Sequence, residues 1–414
     1  VADSDTYIPV DYGEDLSLEE LRAPGAQAQA REGSTAVIRT SDRIGFKRCR
    51  RSWGWASHLR QNLGARDASN PLWTGTGIHF ALEDFHGYNV YGGAVHAFEA
   101  YCEAAKRIQG APAALPELRE LGRGMMEYYT EYWLKERNPL KTLWVDGVPQ
   151  VEVRALLEVP FKPRDFYPDS PYDKVLYSVT IDRVVEDEDG QLWLVDYKTA
   201  KQFQVMHFSI DPQVGAYYWV GNHIYPGRKI AGFIYQQHRK DLAHPPKLTA
   251  AGRISTDSRQ LTSHALYRQA IVSIYGSDAN KWPTDNLRLL NEIAEQETPD
   301  SDRFVRRDRI YRNEYSFESE GAKILMELED MLNPRLPLYP NPTRDCANMC
   351  SFLHACQSID DGSDWKYELN LSHQPKEKEQ DSWRQFLPQP DLLTSERQRQ
   401  RAFHQLQNPQ VVQK

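Results

Sequence analysis

The chain has 414 residues, of which 40 % are hydrophobic and 26 % charged, so it carries enough apolar material for a core and is not disordered throughout. No run of eighteen apolar residues occurs, which excludes a simple membrane-spanning helix, and Val1 to Asp11 hold acids but no base, so this segment is not expected to act as a secretory signal. The net charge of −8 excludes a uniformly basic nucleic-acid coat but leaves room for a local basic groove.

Residues 1–35 read as an acidic N-terminal tail, with seven acids and no Lys or Arg in the first twenty positions. Residues 41–63 read as a basic, aromatic helix. Residues 75–107 read as helical segments opened by a glycine turn, Thr74-Gly75-Thr76-Gly77, and 114–137 as a further helix ending before Asn138-Pro139. The period then changes. Residues 151–157 alternate weakly, 178–185 are a β-branched run, 186–190 a turn, and 191–198 the return strand. A helix over 211–223, a strand over 230–235 and helical patterns over 260–275, 285–297 and 317–332 follow. Residues 373–414 read as a Gln- and Pro-rich tail. No internal repeat is present. The pattern predicts a small mixed sheet between helices, of α/β class, in one domain over 36–372.

The 178–198 hairpin carries the chemistry. Asp182 lies in its first strand, and Asp196 and Lys198 lie two apart in its second, so the latter two leave the same face. Paired carboxylates suit Mg²⁺ or Mn²⁺, and a neighbouring lysine can orient a water and offset phosphate charge. A bare D-x-K is short and common, and alone it reads as a surface ion pair. Upstream lies Gly75-Thr76-Gly77-Ile78-His79-Phe80-Ala81-Leu82-Glu83, with His79 and Glu83 on one helix face. Downstream lies Gln213-Val214-Gly215-Ala216-Tyr217, with Gln213 and Tyr217 one turn apart. Glu83 and Glu152 are nearby acids, equally compatible with supporting a site and with plain surface.

Four ordered motifs resemble the RecB-like branch of the PD-(D/E)XK nuclease superfamily: G-x-x-x-H-x-x-x-E at His79, I-D at Ile181-Asp182, D-Y-K-T at Asp196-Tyr197-Lys198-Thr199, and Q-x-x-x-Y at Gln213 and Tyr217. The resemblance implies a restriction-endonuclease-like core. It makes His79, Asp182, Asp196 and the carbonyl of Tyr197 the ligands of one or two Mg²⁺ or Mn²⁺ ions. Lys198 would position the attacking water, and Gln213 and Tyr217 would steady the site.

There are five cysteines. Cys346, Cys350 and Cys356 fall within eleven residues, and Cys49 lies nearly 300 residues earlier. The odd, sparse count does not suit a disulfide framework; in a reducing cytosol it suits a metal site, either zinc or an iron–sulfur cube. The chain resembles the iron–sulfur subset of RecB-like nucleases, the AddB type and the CRISPR-associated exonucleases. That implies a [4Fe–4S] cluster on Cys49, Cys346, Cys350 and Cys356, clamping a helical extension. The sequence has Cys-x-x-x-Cys where the family usually has Cys-x-x-Cys. Cys102 reads as core, and His354 is an outside candidate ligand.

Arg303, Arg306, Arg307, Arg309 and Arg312, with Phe304 and Tyr311 among them, and Lys47, Arg48, Arg50 and Arg51 near Trp53 and Trp55, are the candidate DNA contacts; a solvated helix face is the alternative for each. Residues 230–259 also look like exonucleases encoded by bacteriophages. The resemblance therefore implies a DNA exonuclease acting at free ends in recombination, repair or phage DNA metabolism, in the cytoplasm, with a recombinase or helicase as a possible partner and no membrane. The competing readings are a non-catalytic DNA-end clamp and an RNA-processing nuclease.

Overall fold

The computed structural model describes residues 34–66, 70–107, 115–136, 140–204 and 208–376, together with residues 384 and 387. The expected N-terminal tail lies almost wholly outside the described residues. The chain divides into two units, one of residues 1–66, 158–177 and 322–378, the other of 67–157, 178–321 and 379–414.

In the first unit, strand β1 (Ser34–Arg39) buries Ala36 and Ile38 and leaves Arg39 exposed, the two-residue period of a strand with one face inward. Helix α1 (Thr40–Arg48) follows directly. Asp42 accepts the Arg39 backbone N–H at 2.9 Å, closing a donor that the helix start leaves open. Arg43 is fully buried on this helix, yet its charge is matched: Nε donates to Glu327 at 2.6 Å and Nη1 to the Tyr177 hydroxyl at 3.0 Å. Cys49 separates α1 from α2 (Arg50–Ala56) and caps the latter. Trp55 packs with Phe352, Ala355 and Leu369, and Cys350 and Cys356 lie against this small core. Strand Leu63–Ala65 pairs antiparallel with His373–Pro375. The C-terminal tail expected from residue 373 therefore opens with a strand, because its backbone groups find partners on an otherwise unpaired edge.

The second unit holds three helices, α3 (Asn70–His86), α4 (Ala94–Ala105) and α5 (Leu115–Tyr128), whose apolar faces form one core. Gly75 and Gly77 lie inside α3, which begins at Asn70; they are not a turn before it, as the sequence suggests. A Cβ on Gly77 would come within 2.6–2.7 Å of the Tyr101 and Phe98 rings, and one on Gly122 of α5 within 2.0 Å of Phe98. Gly77 and Gly122 are thus the notch into which Phe98 fits, and there helix packing outweighs their poor helix propensity.

Strands β2 (Val151–Val159), β3 (Tyr172–Glu186), β4 (Leu192–Ala200), β5 (Ile230–Arg239) and β6 (Val305–Tyr311) belong to one seven-stranded sheet, in which β3-β4-β5-β6 are successive neighbours and β2 also pairs with β3. The β3–β4 pair is antiparallel, β4–β5 parallel and β5–β6 antiparallel, so the sheet is mixed. The parallel step requires a crossover, which helix α6 (Pro212–Ile224) supplies. Alternation along β4 divides its side chains. Trp193, Val195 and Tyr197 enter the helical core, whereas Leu194 and Asp196 face α6, where a Cβ on Gly221 would meet Leu194 at 2.8 Å.

Candidate metal and nucleic-acid site

All the catalytic residues expected from the motifs lie in the second unit. His79 projects from α3 with Nδ1 3.4 Å from Asp182 Oδ2. That oxygen also accepts the Tyr197 backbone N–H at 2.7 Å, so the β3 carboxylate is fixed by the β4 backbone. Glu152, at the start of β2, joins them: one donor atom each from His79, Glu152 and Asp182 lies within 4.8 Å of the other two. An imidazole and two carboxylates in this spacing suit a hard divalent cation.

Glu152 has φ of +47°, a left-handed conformation that a non-glycine residue adopts at a cost of about 1–3 kcal/mol. Burial, then the charges of Glu83 and Asp182, push its carboxyl well above the usual range. A cation at this place would relieve both repulsions. The sequence left Glu152 undecided between site and surface. Its signal was an acid at the start of the strand that pairs with the Asp182 strand, and the backbone twist that aims it inward is not legible from residue types.

Asp196 and Lys198 form an ion pair on one face of β4, as their spacing requires. Asp196 is 1 % exposed. Burial raises its carboxyl to about 6, against the opposing pull of Lys198. Burial pulls the Lys198 ammonium down, but the charges of Asp196 and Asp182 outweigh it and hold its pKa above the ordinary value. Lys198 is therefore a fixed cation at neutral pH. The Gln213 amide donates to Asp196 Oδ1 at 2.8 Å and to the Tyr217 hydroxyl at 3.0 Å. Gln213 can reach because Asp211 caps α6, accepting the Gln213 N–H at 2.7 Å, and Pro212 occupies the first turn. The four motifs thus converge on one place.

The four candidate cluster cysteines lie in the first unit, all partly exposed. Three sulfurs are near N–H donors: Ser52 to Cys49 at 3.5 Å, Thr343 to Cys346 at 3.4 Å, and the Arg51 guanidinium to Cys356 at 3.3 Å. Burial raises the Cys356 thiol, Arg51 opposes this, and Cys49 is close enough to contribute. Among the described residues, no three of these sulfurs lie within 4.8 Å of one another. Cys102 is buried in the helical core, which pushes its thiol up to about 12. His354 is exposed.

The candidate DNA-contacting arginines are less free than their sequence suggests. Residues 305–311 are a strand, not a helix face. Arg307 is 5 % exposed, donates to Gln236 at 2.8 Å and lies over the Trp133 ring, so it is a core residue and not an open phosphate contact. Arg51 is 7 % exposed and engaged with Cys356, which removes it likewise. Arg306 pairs with Asp308, Arg309 with Asp300, Lys47 with Glu327 and Arg50 with Asp330. Arg303 and Arg312 donate to the carbonyls of Gln260 and Ser209, and Arg48 is exposed.

Among the described residues, no helix is long and apolar enough to cross a membrane. A search of curated proteins found no match to the chain. A scan of protein-family models matches residues 44–357 to the PD-(D/E)XK nuclease superfamily, whose members use Mg²⁺ or Mn²⁺. With that span and this mixed α/β core, the chain belongs to the PD-(D/E)XK nuclease superfamily.

Proposed function

We propose that the chain is a metal-dependent exonuclease that hydrolyses DNA from free ends, with a [4Fe–4S] cluster as a structural clamp. The observation that carries the nuclease reading is the convergence of His79, Glu152 and Asp182 beside the Asp196–Lys198 pair. The preference for ends, and a place in recombination, repair or phage DNA metabolism, rest on the resemblance to RecB-like exonucleases.

His79, Glu152 and Asp182 would hold the cation, with Asp196 and the Tyr197 carbonyl as the further ligands that the family resemblance implies. Bound Mg²⁺ or Mn²⁺ supplies Lewis-acid polarisation of the phosphate and acidifies a coordinated water. The protein's own groups do the rest. Lys198 stays protonated, so it acts as a donor that orients the water and offsets charge on phosphate oxygens, not as a base. Gln213 fixes the Asp196 carboxylate, and Tyr217 fixes Gln213. The Tyr197 N–H does the same for Asp182.

For the cluster, the supporting observation is that Cys49, Cys346, Cys350 and Cys356 all fall in one unit, with Cys350 and Cys356 against the same small core and Cys49 close enough to act on Cys356. Three sulfurs near N–H donors suit thiolate ligands.

Digestion of linear and covalently closed circular DNA with Mn²⁺ tests the reading. Linear DNA should be degraded to nucleotides and closed circles spared. Rapid nicking of circles would replace the exonuclease by an endonuclease, and equal activity on RNA would replace the substrate class. DNA binding by wild type with no hydrolysis would favour the end clamp.

A further inference from the structure

Glu83 lies one helical turn beyond His79 on α3, and its charge acts on Glu152 more strongly than that of any other residue. It is close enough to matter to the cation centre, yet it is not among the residues whose donor atoms converge there. Its two oxygens are instead taken by one guanidinium: Arg384 Nη2 lies 2.8 Å from Oε2 and Nη1 3.4 Å from Oε1. Arg384 also lies over the Phe80 ring, and its charge is the strongest that opposes the acids around Glu152. Leu387, three residues on, packs against the helical core and donates its N–H to the Arg384 carbonyl at 3.3 Å. Arg384 is beyond residue 357, where the family match ends.

We propose that Arg384 is a positioning residue of the nuclease centre: it withholds Glu83 from the cation and balances its charge, so that His79, Glu152 and Asp182 alone form this side of the site. The inference rests on the metal-centre reading above. A two-pronged contact between a planar guanidinium and a carboxylate is directional, so it holds both Glu83 oxygens turned toward Arg384. Without it, the site gains one uncompensated negative charge and a carboxylate free to turn toward the cation.

The test is titration of Mn²⁺ into the metal-depleted full chain at low salt and neutral pH, followed by calorimetry. Arg384→Gln should bind Mn²⁺ about fivefold more tightly, since one opposing charge is gone and one acid is released. Glu83→Gln should bind about fivefold more weakly, because Arg384 is then uncompensated. The double variant should return to within about twofold of wild type, the signature of charge balance. Arg384→Lys keeps the charge but not the fork, so its affinity should fall between those of wild type and Arg384→Gln. Unchanged or weaker binding by Arg384→Gln overturns the proposal, as does a double variant as weak as Glu83→Gln, which would make Glu83 a ligand. If Arg384→Gln does not fold, the comparison of Glu83→Gln with the double variant decides, and a double variant that does not fold in the Glu83→Gln background overturns the proposal by making Arg384 a purely structural strap. Asp182→Asn separates the two claims: equal Mn²⁺ binding by Asp182→Asn and wild type overturns the metal centre itself, whereas loss there with unchanged Arg384→Gln overturns Arg384 alone.

Discussion

Substituting Gly77 by alanine tests whether the helix that carries His79 is seated by close packing. The new methyl group would meet Tyr101 Cδ1 at 2.6 Å and Phe98 Cε2 at 2.7 Å, in a place where both rings are buried. Overpacking of this kind costs about 1–3 kcal/mol, and two ring edges that cannot move toward solvent put Gly77→Ala near the upper figure. Alanine also favours the helix by about 1 kcal/mol over glycine. The net loss should be about 2 kcal/mol. Gly75→Ala is the internal control. Its Cβ would lie 3.6 Å from Thr199 Oγ1, an ordinary contact, so only the helix gain applies and the protein should be unchanged or up to about 1 kcal/mol more stable. The two variants, two residues apart on one helix, should therefore differ by roughly 2–3 kcal/mol in urea unfolding followed by circular dichroism. Gly77→Ala should also lose turnover, because His79 sits half a turn away and must move with the backbone. Equal stability of the two variants would refute the notch.

Asp196→Asn and Lys198→Ala should each lower turnover by about two orders of magnitude or more while leaving DNA binding largely intact, as expected for groups that stabilise the transition state; gel-shift and nucleotide-release assays separate the two. The raised Asp196 carboxyl, at about 6, sets a pH dependence. Metal-free protein holds that proton more tightly when folded, so this group's contribution to stability is complete below about pH 4 and lost as pH rises through 6. Mn²⁺ affinity should run the opposite way, increasing up to about pH 6 and levelling above it; a flat profile in calorimetry would refute the buried carboxylate as a ligand. Cys49→Ser should abolish bound iron and the ~400 nm absorbance of anaerobically purified protein, and should cost several kcal/mol by opening a loop of nearly 300 residues. Cys102→Ser should change neither colour nor iron content, as read by metal analysis. One zinc per chain in place of iron would refute the cluster.

The sequence by itself determined the mixed α/β class and the kind of the elements that carry the four motifs, and it named the candidate reacting groups. Periodicity separates the helices from the β3–β4 hairpin because side chains repeat every 3.6 residues in one and every two in the other. The same two-residue period placed Asp196 and Lys198 on one face, and the helical repeat placed Gln213 beside Tyr217. Three things were decided only by tertiary structure. The first is which acids gather beside His79 and Asp182: Glu152 arrives through strand pairing and a left-handed backbone, and Glu83 is paired with Arg384 about 300 residues away. The second is the place of the glycines before His79, which look like a turn but lie inside a helix, where the rings of α4 supply the reason for Gly77. The third is the fate of the arginines. A run of cations reads as a solvent-facing groove, but Arg307 alternates inward along β6 onto Trp133, Arg306 and Arg309 are matched by the nearby acids Asp308 and Asp300, and Arg303 by the distant carbonyl of Gln260. Residue type fixes charge and size, whereas burial and partner are properties of neighbours that only the folded chain brings within reach.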